Sequence, residues 1–146
     1  MKKLKCIFVM VFIISIISSL TYSTFASNDN PSKAPQASAY INSVWATASG
    51  DIGSVKITFS ITATDDMSSL GVTAIEIKDS SNNTVRTFKS SSTGGLMGYN
   101  DTYFSGSKTW YGATSGCKYY AVVYFKASDS SGYDTTSYTT GYCTAR

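Results

Sequence analysis

The sequence contains no histidine, and only two prolines and three cysteines occur among its 146 residues. Without an imidazole, the chain lacks the usual general base, the usual activator of a serine or cysteine nucleophile and the commonest zinc ligand. Charged residues are also scarce, at 14% of the chain. We therefore expect a protein that is not an enzyme and that needs neither a metal nor another cofactor.

The N-terminal segment has the layout of a secretory signal peptide. Three lysines within the first five residues precede an apolar run from Ile7 to Ile17, and the small residue Ala26 follows a polar stretch. An uncleaved membrane anchor is the alternative, but the apolar run is shorter than the roughly 20 residues that a membrane span needs. We expect residues 1–26 to be removed and the mature protein to be secreted, extracellular and free of the membrane.

Removal of this segment would also remove the excess of positive charge. The whole chain has twelve Lys and Arg against nine Asp and Glu, and three of the lysines lie in the predicted signal. The mature chain then carries nine charges of each sign, so it lacks the basic surface typical of proteins that bind nucleic acid or anionic lipid. We expect neither of these as a partner.

The mature chain divides into a short leader and one domain. Residues 27–37 hold both prolines and almost nothing that a core could bury, which indicates a flexible leader. Residues 38–146 form the domain. Its clearest strand is 54–64, in which apolar and polar residues alternate with period two. The connection at 65–71 has room for one short helical turn.

Six further strands are expected at residues 40–48, 72–78, 84–89, 101–111, 118–127 and 133–142. Together with 54–64 they make about seven short strands separated by turn residues. This pattern predicts an all-β fold, a single antiparallel sandwich of the immunoglobulin-like or fibronectin type. A small barrel is the alternative.

The cysteines support a hairpin at the C-terminus. A turn centred on Ser130 would place Cys117 and Cys143 opposite each other, whereas Cys6 would leave with the signal. Because an even number of cysteines in an exported chain indicates a disulfide framework, we expect a structural disulfide between the two. Closing this loop should contribute about 3–4 kcal/mol in the chain-entropy description.

Several segments together resemble a group of small secreted proteins of Gram-positive bacteria, a group of unknown function. They are Ala37–Ala63, Met97–Asn100, Tyr111-Gly112, Gly116 and Tyr119–Phe125. The resemblance implies an exported β-sandwich and carries over no catalytic or binding residue. The second strand and 119–127 are also similar to fibronectin type III modules, whose early buried tryptophan has no counterpart here unless Trp45 takes that place.

Aromatic residues form the most suggestive cluster. Exposed tyrosine rings can stack on sugar rings, and neighbouring amide and carboxylate groups can bind sugar hydroxyls. The cluster contains both kinds of group, in Tyr99, Asn100, Asp101, Tyr103 and Tyr111. The strand at 101–111 puts the tyrosines on one face and Phe104 and Trp110 on the other, which we expect to be core. These five residues are our candidate ligand site. The alternative is that the tyrosines only line strands, where aromatic residues are common.

The carboxylates suggest weaker alternatives. Asp65, Asp66, Asp101, Asp129 and Asp134 could in principle support glycoside hydrolysis or bind calcium. The Asp-x-Asp-x-Asp-Gly spacing of a calcium loop is missing, so we expect turn-capping roles instead. Two functions follow: a non-catalytic module that binds a cell-envelope or extracellular glycan, or a secreted structural or protein-interaction factor. An enzyme ranks third.

Overall fold

The computed structural model describes residues 39–146, and the predicted signal and leader lie outside these residues. Within this part of the chain every regular element is a strand, which confirms the all-β class. The strands are β1 Ile41–Asp51, β2 Ser54–Met67, β3 Ser69–Asp79, β4 Thr84–Lys89, β5 Met97–Gly98, β6 Asp101–Tyr111, β7 Lys118–Ser128, β8 Tyr133–Thr139 and β9 Cys143–Thr144.

The strands form two antiparallel sheets. The three-stranded sheet has the order β1-β2-β6, and the six-stranded sheet has the order β4-β3-β7-β8, with β5 paired to β3 and β9 paired to β7. Among the strands of residues 39–146, each sheet has two unpaired edges, β1 and β6 in the first sheet and β4 and β8 in the second. The alternative of a closed barrel is therefore wrong.

One core lies between the two sheets, and strict alternation along β2 explains it. Val55, Ile57, Phe59 and Ile61 are completely buried, while Lys56 between them is exposed. The six-stranded sheet contributes its own buried residues to the same cluster, chiefly from β3 and β7. Burying a side chain of this size contributes about 1.5–3 kcal/mol, so the apolar face of β2 fixes which way each neighbouring strand faces.

The short helical turn for which residues 65–71 have room does not form. β2 continues to Met67 and β3 begins at Ser69, so Ser68 alone connects them. Met67 and Leu70 are both buried. Because both side chains lie in the core, the chain stays extended through the polar residues Asp65 and Asp66, which had suggested a turn. Ser68 secures the connection by donating its hydroxyl hydrogen to the carbonyl oxygen of Ser128 at 2.8 Å.

The turn predicted between β3 and β4 is confirmed. The Asp79 carboxylate accepts hydrogen bonds from the backbone N–H groups of Ser81 and Asn83, both at 2.9 Å, and from the Asn83 side chain. These bonds, chiefly those from Asn83, lower the pKa of Asp79. Asn82 has a φ of 67°, a left-handed conformation that asparagine tolerates better than most residues.

The predicted register of the last hairpin is wrong by one residue at its turn, and it shifts again towards its open end. Val122 pairs with Thr139, so the turn is centred between Ser130 and Ser131 and not on Ser130. At the open end Cys143 lies opposite Tyr119, not opposite Cys117. Both cysteines are free thiols in the structure. Direct opposition of Cys117 and Cys143 is therefore contradicted, and disulfide formation stays a prediction that chemical analysis must test.

Candidate functional site

The outer surface of the three-stranded sheet is rich in hydroxyl groups. The residues that alternate with the buried ones in β1, β2 and β6 point away from the core. We call this surface the hydroxyl face; its Ser and Thr residues are Ser43, Thr47, Ser49, Thr58, Ser60, Thr62, Ser105, Ser107 and Thr109. Three neighbouring strands thus present rows of short side chains that both donate and accept hydrogen bonds.

Two aromatic rings flank the central strand on this face. Trp45 of β1 lies opposite Ser60 of β2, and Tyr103 of β6 lies opposite Thr62 of β2. Their side chains are 48% and 51% exposed. Because adjacent strands lie about 4.8 Å apart and same-face neighbours about 6.7 Å apart, the two backbone positions are separated by roughly 12 Å across β2.

Tyr111 shares this face but lies far from Tyr103. The two residues are at opposite ends of β6, about 26 Å apart along an extended strand. Tyr111 is 82% exposed and borders a shallow polar depression of about 430 Å³ that also contacts Lys56 and Arg146. The prediction that both tyrosines share a face is confirmed, but they do not form one cluster.

The remaining predicted site residues lie where β6 begins. Tyr99 is exposed, and Asn100 has a φ of 53°, so both belong to a tight turn between β5 and β6. The Asp101 carboxylate accepts hydrogen bonds from the N–H groups of Thr102 at 2.7 Å and Tyr103 at 3.2 Å. Tyr99, Asn100 and Asp101 therefore lie at the Tyr103 end of β6, with Asp101 already engaged as a turn cap.

The predicted core aromatics do face inward. Phe104 packs against Phe59 with ring centroids 6.3 Å apart, and Trp110 meets Tyr119 edge-to-face at 5.4 Å. Phe104 and Trp110 both pack against the buried cluster. The assignment of the two faces of β6 from residue parity is confirmed.

Trp45 is the residue that the sequence prediction of the site missed. It does not take the place of a buried tryptophan, since about half of its side chain is exposed. The available signal is local: Val44, Ala46 and Ala48 pack inward at alternate positions of β1, which leaves Trp45 outward. Because the sequence prediction considers Trp45 only as a possible buried tryptophan, it does not use this pattern.

Asp101 and Asp129 cap turns, as expected, whereas Asp65 and Asp66 lie within β2. Asp65 and Asp101 each accept a hydrogen bond from the backbone N–H of the next residue, and Asp129 accepts one from the N–H of Ser131, two residues further on. Within residues 39–146 no group of three His, Cys, Asp or Glu side chains is placed to hold a metal ion. Asp134 accepts a hydrogen bond from the N–H of Tyr40 at 2.8 Å and so ties the start of the domain to β8.

Comparison of the chain with protein-family models, with curated proteins and with solved structures finds no match. Residues 39–146 contain no helix that is long and apolar enough to cross a membrane.

Proposed function

We propose that the protein is a secreted, non-catalytic binding module of the immunoglobulin-like or fibronectin type whose hydroxyl face binds a glycan of the cell envelope or extracellular matrix. Secretion rests on the N-terminal pattern of basic, apolar and small residues. The observation that carries the glycan proposal is the pair Trp45 and Tyr103, half exposed on either side of a hydroxyl-bearing central strand.

Strand order and one hydrogen bond support the immunoglobulin-like type. The sixth strand returns to pair with the second, and the third pairs with the seventh, which makes a two-sheet arrangement with crossover connections. Near the start of β7, the Tyr119 hydroxyl oxygen accepts a hydrogen bond at 3.0 Å from the N–H of Thr114, five residues upstream. A tyrosine bonded back to the preceding connection at this corner is a hallmark of such sandwiches.

A sugar polymer fits the hydroxyl face for two physical reasons. Aromatic rings stack on the C–H faces of sugar rings, and the separation of Trp45 and Tyr103 suits two different rings of one chain. Between them, Ser60 and Thr62 offer hydroxyl groups that can exchange hydrogen bonds with sugar hydroxyls. A glycan chain would thus cross β2 and contact all three strands.

A second function, recognition of a protein partner, is favoured by the edge of the same sheet. β6 is eleven residues long and pairs with β2 on one side only within the described chain. An open strand edge is a template on which an extended segment of another protein can pair. In this alternative the protein is a secreted structural or interaction factor, and the aromatic residues of the hydroxyl face are not required.

A retention assay tests the proposal. The protein is incubated with Gram-positive cells, isolated walls and insoluble polysaccharides, and the bound fraction is measured. We expect retention on at least one polymer, and Trp45→Ala or Tyr103→Ala should weaken it by roughly tenfold, since each removes a stacking surface. Tyr142→Ala is the matched control, because Tyr142 is an exposed tyrosine outside the hydroxyl face. Retention on none of them, or retention unchanged in both variants, would contradict the proposal.

A further inference from the structure

Positive and negative side chains occupy different parts of the domain, although they are equal in number. Five of the aspartates lie at strand ends or turns, where each accepts a hydrogen bond from a nearby backbone N–H: Asp51, Asp65, Asp79, Asp101 and Asp129. All lysines of the described residues lie in strands, and four of them lie inside a strand and not at its first or last residue: Lys56, Lys78, Lys108 and Lys126. Neutral composition therefore conceals a surface on which cations are concentrated.

That surface is the outer side of the six-stranded sheet. Its outward positions in β3, β4 and β7 carry the four lysines of what we call the lysine face: Lys78, Lys89, Lys118 and Lys126. Among the described residues, Glu76 is the one carboxylate at an outward position of these strands and of β8. It is already paired with Lys78 at 3.6 Å. Three lysines therefore remain to attract an anion.

A depression of about 530 Å³ lies within the lysine face. Ala74 forms part of its lining, and the register places Lys89 and Tyr124 on the two strands that flank this small residue. A bulge at Thr73 interrupts the pairing of β3 with β7 beside the depression. Hydroxyl groups complete the lining on the β8 side, from Thr135 and Ser137. The site therefore combines a cation, an aromatic ring and hydroxyls around a recess.

Lys126 supplies a second cation, two residues further along β7 than Tyr124. Lys126 is the next outward residue of β7 after Tyr124, and its ammonium group lies 4.6 Å from the centre of the Tyr133 ring. By strand geometry Lys89 and Lys126 are roughly 12 Å apart at the backbone, on either side of β3. Two cations at this separation suit a polymer that carries repeated negative charges better than they suit a single small anion.

We propose that the lysine face is a second binding site, specific for an acidic polysaccharide whose sugar rings carry carboxylate groups. One ring occupies the depression with its C–H face on Tyr124 and its carboxylate at the Lys89 ammonium group. A carboxylate of a further unit meets Lys126. The ring and the hydroxyls favour a sugar polymer over a bare polyphosphate, which would need cations alone.

Titration calorimetry with polygalacturonate, its fully methyl-esterified form and polyphosphate tests this site. We expect binding to polygalacturonate that weakens with salt, since exposed charges are screened, and little binding to the ester. Lys89→Gln or Lys126→Gln should weaken binding about three- to fivefold, and the double variant about tenfold. Lys56→Gln is the matched control, since Lys56 is an exposed lysine on the other sheet.

The remaining outcomes would overturn the proposal. They are no binding, equal binding of the ester, an equal effect of Lys56→Gln, or polyphosphate bound as tightly as polygalacturonate, which would indicate attraction of charge alone. A circular dichroism spectrum of each variant shows that its fold is intact. Because the glycan site proposed above lies on the opposite sheet, Trp45→Ala should leave polygalacturonate binding unchanged, and the two proposals can fail separately.

Discussion

The hydroxyl oxygen of Tyr119 accepts a hydrogen bond from the backbone N–H of Thr114 at 3.0 Å. Tyr119 is buried, and its ring packs edge-to-face with Trp110. This one side chain thus ties the connection between β6 and β7 to the start of β7. When a partly buried N–H loses its acceptor, the loss of folding free energy is larger than the net contribution of an ordinary hydrogen bond.

We therefore expect Tyr119→Phe to lower the free energy of unfolding by about 1–2 kcal/mol, because the Thr114 N–H loses its partner while the ring remains. Urea denaturation measures the change. Tyr133→Phe is the control: Tyr133 is exposed, and its contact with Lys126 involves the ring, which phenylalanine keeps. Equal stability of the Tyr119→Phe variant and the wild type would contradict the role of the hydroxyl.

The C-terminal residues join the two sheets at Gly50. Ala145 is buried, and the N–H of Arg146 donates to the carbonyl oxygen of Asp51 at 3.1 Å. A side chain at Gly50 would overlap the backbone carbonyl of Thr144, which cannot move without breaking this contact.

Gly50→Ala should therefore lower the free energy of unfolding by about 1–3 kcal/mol, the usual cost of overpacking. Thermal unfolding followed by circular dichroism gives the value. Gly141→Ala is the matched control, because nothing lies within 4 Å of a Cβ built at Gly141. It should be neutral or slightly stabilising. Similar losses in both variants would show that the contact with Thr144 is not the cause.

The hairpin turn at Asp79 gives a pH-dependent prediction. Hydrogen bonds from Asn83 and Ser81 lower the pKa of Asp79 in the folded state. The resulting stability is present above the unfolded pKa of about 3.9 and is lost as the pH falls through the lower folded value. Asp79→Asn should destabilise the protein at pH 6, and the difference from wild type should be smaller at pH 2, because the carboxyl gains a proton as the pH falls through the folded value.

Urea midpoints of wild type and Asp79→Asn at the two pH values measure this effect. Asp66→Asn is a suitable control, because Asp66 is exposed in β2 outside this turn. A difference between wild type and Asp79→Asn that is the same at both pH values would rule out the ionised carboxylate as its source.

Alternation of residues predicts most of the fold but not its irregularities. Ser54 to Thr64 alternates so regularly that only an extended strand buries all its apolar residues. Register in the last hairpin depends instead on a four-residue turn and on Thr140, whose N–H and hydroxyl both bond to the backbone of Ala121. Such local hydrogen bonding leaves no periodic signal, so the opposition of Cys117 and Cys143 could not be predicted correctly.

The candidate site shows the same division. Parity along β6 correctly separates Tyr103 from Phe104, since neighbours in a strand point to opposite faces. The grouping of Tyr103 with Trp45 could not be predicted, because it depends on β1 and β6 both pairing with β2. Sequence proximity also suggested that Tyr111 belongs with Tyr103, whereas an extended strand carries it to the far end of the sheet.

The two cysteines differ in environment, which predicts an order of reaction. Cys117 is exposed, whereas burial raises the pKa of the half-buried Cys143 thiol. Under reducing conditions iodoacetamide at pH 8 should modify Cys117 before Cys143, because the thiolate is the reactive form.

The free energy of unfolding should also fall as the pH rises from the unfolded thiol pKa, about 8.5, through the higher folded value of Cys143.

Peptide mass analysis identifies the cysteine that is alkylated first, and modification of Cys143 first would contradict this assignment. The same analysis on protein recovered from an oxidising medium tests the predicted disulfide. A Cys117–Cys143 crosslinked peptide would show that the C-terminal strand can shift to bring the thiols together. Two free thiols in that medium would mean that the disulfide prediction is wrong.

The proposed function requires Trp45 on the hydroxyl face to contact a glycan, and the second tryptophan of the chain supplies an internal control. Trp110 packs against Tyr119 inside the domain, so its indole N–H should not sense a ligand on the outer face. The most direct measurement is a ¹⁵N–¹H spectrum of the two indole groups during titration with the oligosaccharide fragments of the polymer that retains the protein. We expect a saturable shift of the Trp45 resonance while that of Trp110 stays in place; no shift of Trp45, or equal shifts of both, would show that Trp45 does not contact the glycan.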